Sequence, residues 1–215
     1  MPKVIVPVGL NMGQDFTAAD PGEQPARYWE VHLGGVPAYL TREEATAWAA
    51  AFLDPAKHAS REVTRASLEA HLRAADDETT DPSPVVARLL ERGLLVEFDP
   101  VNDSLESLFS RYQLYPLAQG FGNSPEQPRR YEIGFAGRAL IDVDANVYAI
   151  WSYALTESSL WDACAGLAAG LDADLEPNEE PLGLTAEDLA RDVAMSLPVL
   201  VTCGCGFLDP LFDSR

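Results

Sequence analysis

Alternating apolar and polar positions mark Arg27–Thr41 as two extended segments, "RYWEVHLGG" and "VPAYLT", reversing at Gly34 and Gly35. The period then lengthens from two to about 3.6 residues. Thr41 with Glu44 three positions on announces a helix start, and Trp48 and Phe52 at i, i+4 give that helix one apolar face. A second helix is predicted over "TRASLEAHLRAA" and a third over "PVVARLLERG", with Asp81 or Ser83 as its cap, proline in its first turn and Gly93 just past its end. "LLVEF" closes the series as a short strand.

The same succession recurs further along. "RRYEIGF" and "RALIDV" turn at Gly137, and a helix starting at Asp144 places Trp151 and Leu155 on one face. "ESSLWDACAGLAAG" and "TAEDLARDVAMSL" follow as second and third helices. Thr185 and Asp188 form the capping pair, Pro198 is the expected stop, and "VLVTC" is the expected closing strand. The residues themselves echo. "QPARYWEVHLGG" (Gln24–Gly35) is answered by "QPRRYEIGFAG" (Gln127–Gly137), with one residue skipped at Trp29, and "PVGLNMG" (Pro7–Gly13) by "PLAQGFG" (Pro116–Gly122). "VARLL" lies over "LARDV" and "FDP" over "LDP". A collinear set with a period this long predicts two similar modules, not a solenoid. The expected fold is α+β: an internal duplication of two winged-helix-like modules, residues 1–103 and 104–215, each a β-hairpin, three helices and a closing strand. The stretch "VNDSLESLFSRYQLYPLAQG" between them is too apolar for a free linker, so the modules are expected to pack pseudo-symmetrically.

This succession resembles a winged-helix domain. More narrowly, "YWEVHLGGVPAYLTREEATAWAAAF…SLEAHLRAA…VVARLLERGLLVEF" and its second-half counterpart resemble the PqqD-like peptide-recognition domains of modified-peptide biosynthesis. That resemblance implies an extended peptide added beside the outer hairpin strand, in a groove shared with the third helix, held by unpaired backbone groups. It places Val36, Ala38 and Leu40 on the first edge and Arg138 and Leu140 on the second. Arg88 and Arg92 would face the first groove, Arg191 and Met195 the second.

Charge narrows the partners. The 215-residue chain carries a net charge of −19, and of its 15 Lys/Arg and 34 Asp/Glu, 9 and 16 precede Val101. Neither half is basic, which counts against phosphate neutralisation and hence against nucleic acid; a partner with a basic surface fits better. No apolar run approaches the ~20 residues that span a bilayer, and "MPKVIVPVG" lacks a signal segment, so a cytoplasmic location is expected. Three cysteines suit a reducing compartment.

Catalytic patterns are sparse. His32, His58 and His71 occupy no catalytic spacing, and no GxSxG turn is present. "DVDAN" opens like a calcium loop but has Val147 and Tyr153 where glycine and an acid belong. "GFGNSP" neither ends in Lys-Ser/Thr nor completes a dinucleotide fingerprint. Cys203 and Cys205 in Cys-x-Cys spacing could share a soft metal with Cys164, although alternation along a strand would make them small buried side chains. The expectation is therefore a peptide- or protein-binding module without catalytic groups, cofactor or metal, possible ligands including a biosynthetic precursor peptide. The alternatives are a winged-helix transcription regulator and a small enzyme or metalloprotein using Cys203 and Cys205.

Overall fold

The computed structural model describes residues 2–15, 28–52, 63–75, 81–171, 173 and 181–211. The fold is mixed α+β with small antiparallel sheets. In the first half, β1 (Val4–Pro7) runs into β2 (Leu10–Asp15), followed by β3 (Tyr28–Leu33), β4 (Val36–Leu40), α1 (Arg42–Ala49), α2 (Arg65–Ala75), α3 (Ser83–Glu91) and β5 (Leu95–Phe98). The connection carries α4 (Leu105–Phe109). The second half then places β6 (Tyr112–Pro116), β7 (Gln119–Gly122), β8 (Arg130–Phe135), β9 (Arg138–Asp144), α5 (Ala145–Tyr153), a 3-10 turn at Ala154–Thr156, α6 (Leu160–Leu171), α7 (Ala186–Thr202) and β10 (Gly206–Pro210).

Strands β2-β3-β4 form one antiparallel sheet and β7-β8-β9 another, while β1 pairs with β5 and β6 with β10. Each expected hairpin is therefore the central strand and one edge strand of a three-stranded sheet. Both hairpins reverse through two residues in the left-handed region, Gly34 and Gly35 (φ 55° and 78°) and Ala136 and Gly137 (φ 49° and 75°), the backbone of a type I′ turn. The remaining strands β2 and β7, at the opposite side of each sheet from β4 and β9, each carry a bulge where the sequence echo places Met12–Gly13 and Phe121–Gly122, with both glycines at positive φ (96° and 79°). The one-residue offset falls elsewhere than at Trp29. Counted from the turns, β3 and β8 match without a gap, and the extra residue sits in a bulge of β9 at Leu140.

The helix signals have local causes. Thr41 and Glu44 complete a reciprocal capping box, and so do Thr185 and Asp188. At α3 the cap is Pro82, and Asp81 instead accepts bonds from the Ser83 N–H (3.1 Å) and hydroxyl (2.8 Å). Asp144 caps α5 by backbone conformation alone.

One expectation is overturned: Pro198 does not stop α7, and "VLVTC" is not a strand. The helix continues to Thr202 and the closing strand is Gly206–Pro210. Leu197, Pro198, Leu200, Val201 and Thr202 are all buried, so tertiary packing outweighs the bond that proline cannot donate to the Ala194 carbonyl. The Thr202 hydroxyl donates to the Pro198 carbonyl. What ends the helix is Gly204 at φ 72°. Its N–H reaches the Val201 carbonyl (2.9 Å) and that of Cys205 reaches Leu200 (2.8 Å). At the end of α3, Gly93 (φ 72°) bonds Leu90 (3.1 Å) and Leu94 bonds Leu89 (2.9 Å), the same Schellman arrangement.

The residue after each of these glycines is a fastening point. The Leu94 carbonyl accepts the Trp48 indole N–H (3.0 Å) and the Val8 N–H (2.9 Å); the Cys205 carbonyl accepts the Trp151 indole N–H (3.0 Å) and the Leu117 N–H (3.1 Å). One acceptor thus joins first helix, third helix and first strand in each half. Between the halves, α7 packs on β1, the Gly9 N–H bonds the Leu208 carbonyl (2.8 Å), and Asp209 Oδ1 accepts the Gly34 N–H (2.6 Å). Leu105, Leu108 and Phe109 of α4 are buried, which is why the connecting stretch reads as apolar. Among the described residues, no helix is long and apolar enough to cross a membrane.

Removing either indole donor leaves its carbonyl with one bond. Trp48→Phe and Trp151→Phe should each lower the urea unfolding free energy by about 1–3 kcal/mol; a silent substitution would mean that the fastening contributes nothing.

Candidate functional site

Strands β4 and β9 each end one side of their sheets, β2 and β7 the other, and among the described residues no further strand pairs with β4 or β9. In a type I′ hairpin the residues flanking the turn form a bonded pair, and bonded and non-bonded pairs then alternate. Leu33–Val36, Val31–Ala38 and Trp29–Leu40 are thereby the bonded pairs, leaving Pro37 and Tyr39 with backbone groups facing away from β3. Pro37 has no N–H, a placement that edges favour. Past the β9 bulge the same count turns the backbone of Asp142, the partner of Glu132, outward.

The Tyr39 and Asp142 carbonyls are both occupied. Arg92, at the end of α3, donates through Nη2 to the Tyr39 carbonyl (2.9 Å) and through Nη1 to Glu44 (2.9 Å). Arg88 pairs with Glu43 (3.0 Å) and lies 3.7 Å from Glu44. In the second half, Arg130 of β8 crosses the sheet face to donate Nη2 to the Asp142 carbonyl (2.7 Å), Nε to the Asp142 carboxylate (2.6 Å) and Nη1 to Asp144 (2.8 Å). That commitment explains why the Asp144 side chain makes no capping bond. Tyr28 occupies the position of Arg130 in the first sheet, and its ring lies 5.6 Å from that of Tyr39.

The residues expected at the edges divide clearly. Val36 is 57% exposed and Ala38 half-buried, but Leu40 is fully buried and belongs to the core. Arg138 is exposed and Leu140 half-buried at the bulge. Arg191 pairs with Glu187 (3.5 Å) and Asp188 (4.0 Å), and Met195 is 45% exposed. Aligning the two Schellman endings sets Arg88 and Arg92 against Val199 and Cys203, not against Arg191 and Met195. The residue echo "VARLL" over "LARDV" misplaces this register because α7 begins well before the turn that matches the start of α3. Sequence reading missed Arg130, although it lies inside the repeated "QPRRYE", and it missed what Arg92 binds.

The carboxylate behind Arg92 is electrostatically tuned. Burial alone would raise the pKa of Glu44, but the Thr41 N–H and the Arg92 and Arg88 guanidiniums outweigh it and hold the group below the ordinary carboxylate range. Asp209 moves the other way: burial raises it, against the Gly34 N–H and nearby His32, whose Nε2 lies 2.7 Å from Glu30.

Cys203 is the cap of α7 and Cys205 follows the left-handed Gly204, so they do not alternate along a strand as expected. Burial pushes the thiols of Cys164 and Cys205 up to about 12, and raises Cys203 as well. Among the described residues no three His, Cys, Asp or Glu side chains converge as a metal site. His58 lies outside the described residues. A groove of about 210 Å³ between α5 and α6 is lined by Ile150, Tyr153, Thr156, Glu157 and Leu167, none of them on β4 or β9.

Compared with known proteins, the chain matches no family model, no curated protein and no solved structure.

Two outcomes follow. Since the folded pKa of Glu44 lies below its unfolded value, its stabilisation is complete above that value and is lost as pH falls through the folded one. Melting temperature should therefore drop more steeply in wild type than in Glu44→Gln between about pH 5 and pH 3; parallel profiles would remove Glu44 from this role. Native protein treated with Ellman's reagent near neutral pH should show no fast-reacting thiol, and denaturant should release all three; rapid native labelling would restore the thiolate reading.

Proposed function

We propose that this chain is a peptide-binding protein built from two copies of one winged-helix-like, PqqD-like unit, and that an extended segment adds as a further strand at β4 or β9. The observation that carries the reading is that β4 and β9 each end a three-stranded sheet with no further strand beside them among the described residues, with the end of α3 reaching the β4 edge through Arg92 and α7 packing near β9. Strand addition draws affinity from such backbone groups and selectivity from alternate side chains. Val36 and Tyr39 on β4 and Ala139 on β9 are exposed along these edges.

The two-unit reading rests on the repeated sheet orders, the paired bulges at Gly13 and Gly122, and the matching indole bonds of Trp48 and Trp151. The unit boundary near residues 103–104 precedes α4, which packs on α6, α7 and β6. A net charge of −19 favours a segment with basic residues. Recognition of DNA by α3 is disfavoured because Arg88 and Arg92 are already paired with Glu43 and Glu44. Thiol chemistry at Cys203 and Cys205 is disfavoured by burial.

The test is to pan a library of random linear peptides on the full chain and titrate enriched sequences into isotope-labelled protein. Amide shifts centred on Tyr39 or Asp142 are expected. Failure to enrich any sequence, or shifts confined to the groove between α5 and α6, would overturn the reading.

A further inference from the structure

We propose that Arg92 and Arg130 are latches on the two edges, and that a strand enters β4 or β9 only by displacing a guanidinium from the Tyr39 or the Asp142 carbonyl. The inference rests on the peptide-binding reading for its ligand, but not for its geometry. An antiparallel strand joining β4 must form a bonded pair with Tyr39, using both the N–H and the C=O of that residue. Its backbone would lie ~4.8 Å from β4. Arg92 already holds that carbonyl from the outer side at 2.9 Å, so guanidinium and strand compete for one space. Pro37, the neighbouring outward residue, has no N–H to offer, which makes Tyr39 the decisive pair on this edge.

The same ladder position is guarded in the second half by different means. Asp142 is the second residue before the α5 cap, as Tyr39 is before the α1 cap, and each opposes a glutamate, Glu132 and Glu30. There the guanidinium comes from β8 instead of from a helix end, and it reaches the carbonyl at 2.7 Å. Two arginines from unrelated places in the chain converge on equivalent carbonyls. A requirement of the position, namely that this carbonyl not stay open, accounts for that better than ancestry does.

Each latch is restrained but releasable. Arg92 is held by Glu44 and Arg130 by Asp142 and Asp144, in charge-assisted bonds that orient the fork. Their side chains remain 37% and 39% exposed, so each has solvent to swing into. A naked edge is a template for pairing with another copy of the same chain, and charged side chains on the edge are a recurrent protection. The latch serves as that protection in the free protein and as a threshold for ligands.

The experiment uses full-length wild type, Arg92→Ala, Arg92→Lys and Arg130→Ala, with circular dichroism and melting curves to establish folding. Lysine keeps the charge beside Glu44 but has no fork to span both Glu44 and the Tyr39 carbonyl. Sedimentation velocity over a concentration series needs no ligand: the variants should self-associate where wild type stays at its own state. Enriched peptides from the panning that bind β4 should bind Arg92→Ala and Arg92→Lys about tenfold tighter, with Arg130→Ala acting only on β9 binders. If no peptide is ever enriched but the variants self-associate, the latch stands and the peptide-binding reading falls. If folded variants keep wild-type association and wild-type peptide affinity, the latch is overturned. Should Arg92→Ala not fold, Arg92→Lys decides for β4.

Discussion

A carbonyl just past the end of a helix is the constraint on which this fold hangs. Leu94 and Cys205 each follow a glycine in left-handed conformation, and each points its C=O at a buried tryptophan indole and at the N–H of an incoming strand. The acceptor is fixed because the Schellman bonds fix the turn that carries it. Trp48 and Trp151 then set how their helices lie over the sheets, and those helices begin where β4 and β9 stop. The orientation of each edge strand is a consequence of a turn dozens of residues away in sequence.

From that frame the edges acquire their character. Antiparallel sheets of three strands cannot close, so a last strand is left with outward backbone groups. On β4 the answer is Pro37, which has no donor to present, and Arg92, which covers the Tyr39 carbonyl. On β9 the answer is a bulge at Leu140 and the Arg130 fork. At the bulge, Gly134 has no room for a side chain: a Cβ there would collide with the Arg138 carbonyl. The two edges therefore share a backbone plan and differ in the chemistry that guards them.

The contacts between the halves are of another kind. They run through backbone, Gly9 to Leu208, and through Asp209 on the Gly34 N–H, with α7 lying on β1. Because Asp209 grips the turn between β3 and β4, the second half holds the base of the first edge. Its raised pKa reflects a carboxylate kept partly from water, with a backbone N–H and His32 offsetting the penalty only in part.

Much of the local structure was legible along the chain. The turns at Gly34–Gly35 and Gly137, the caps Thr41–Glu44 and Thr185–Asp188, the ending at Gly93 and the α+β composition of each half are set by interactions within a few residues, which a sequence displays directly. Pro198 misled because proline's local penalty is visible in sequence while the burial of Leu197, Leu200 and Val201 around it is not. Strands β2 and β7 were read only as echoes, since a bulge breaks the alternation by which a strand is recognised. Leu40 looked like an edge residue because sequence shows that a position alternates, not which face the core takes. The register of α7, the partner of Arg92 and the reach of Arg130 across a sheet were settled only by tertiary structure, because each depends on chain segments brought together by packing rather than by spacing.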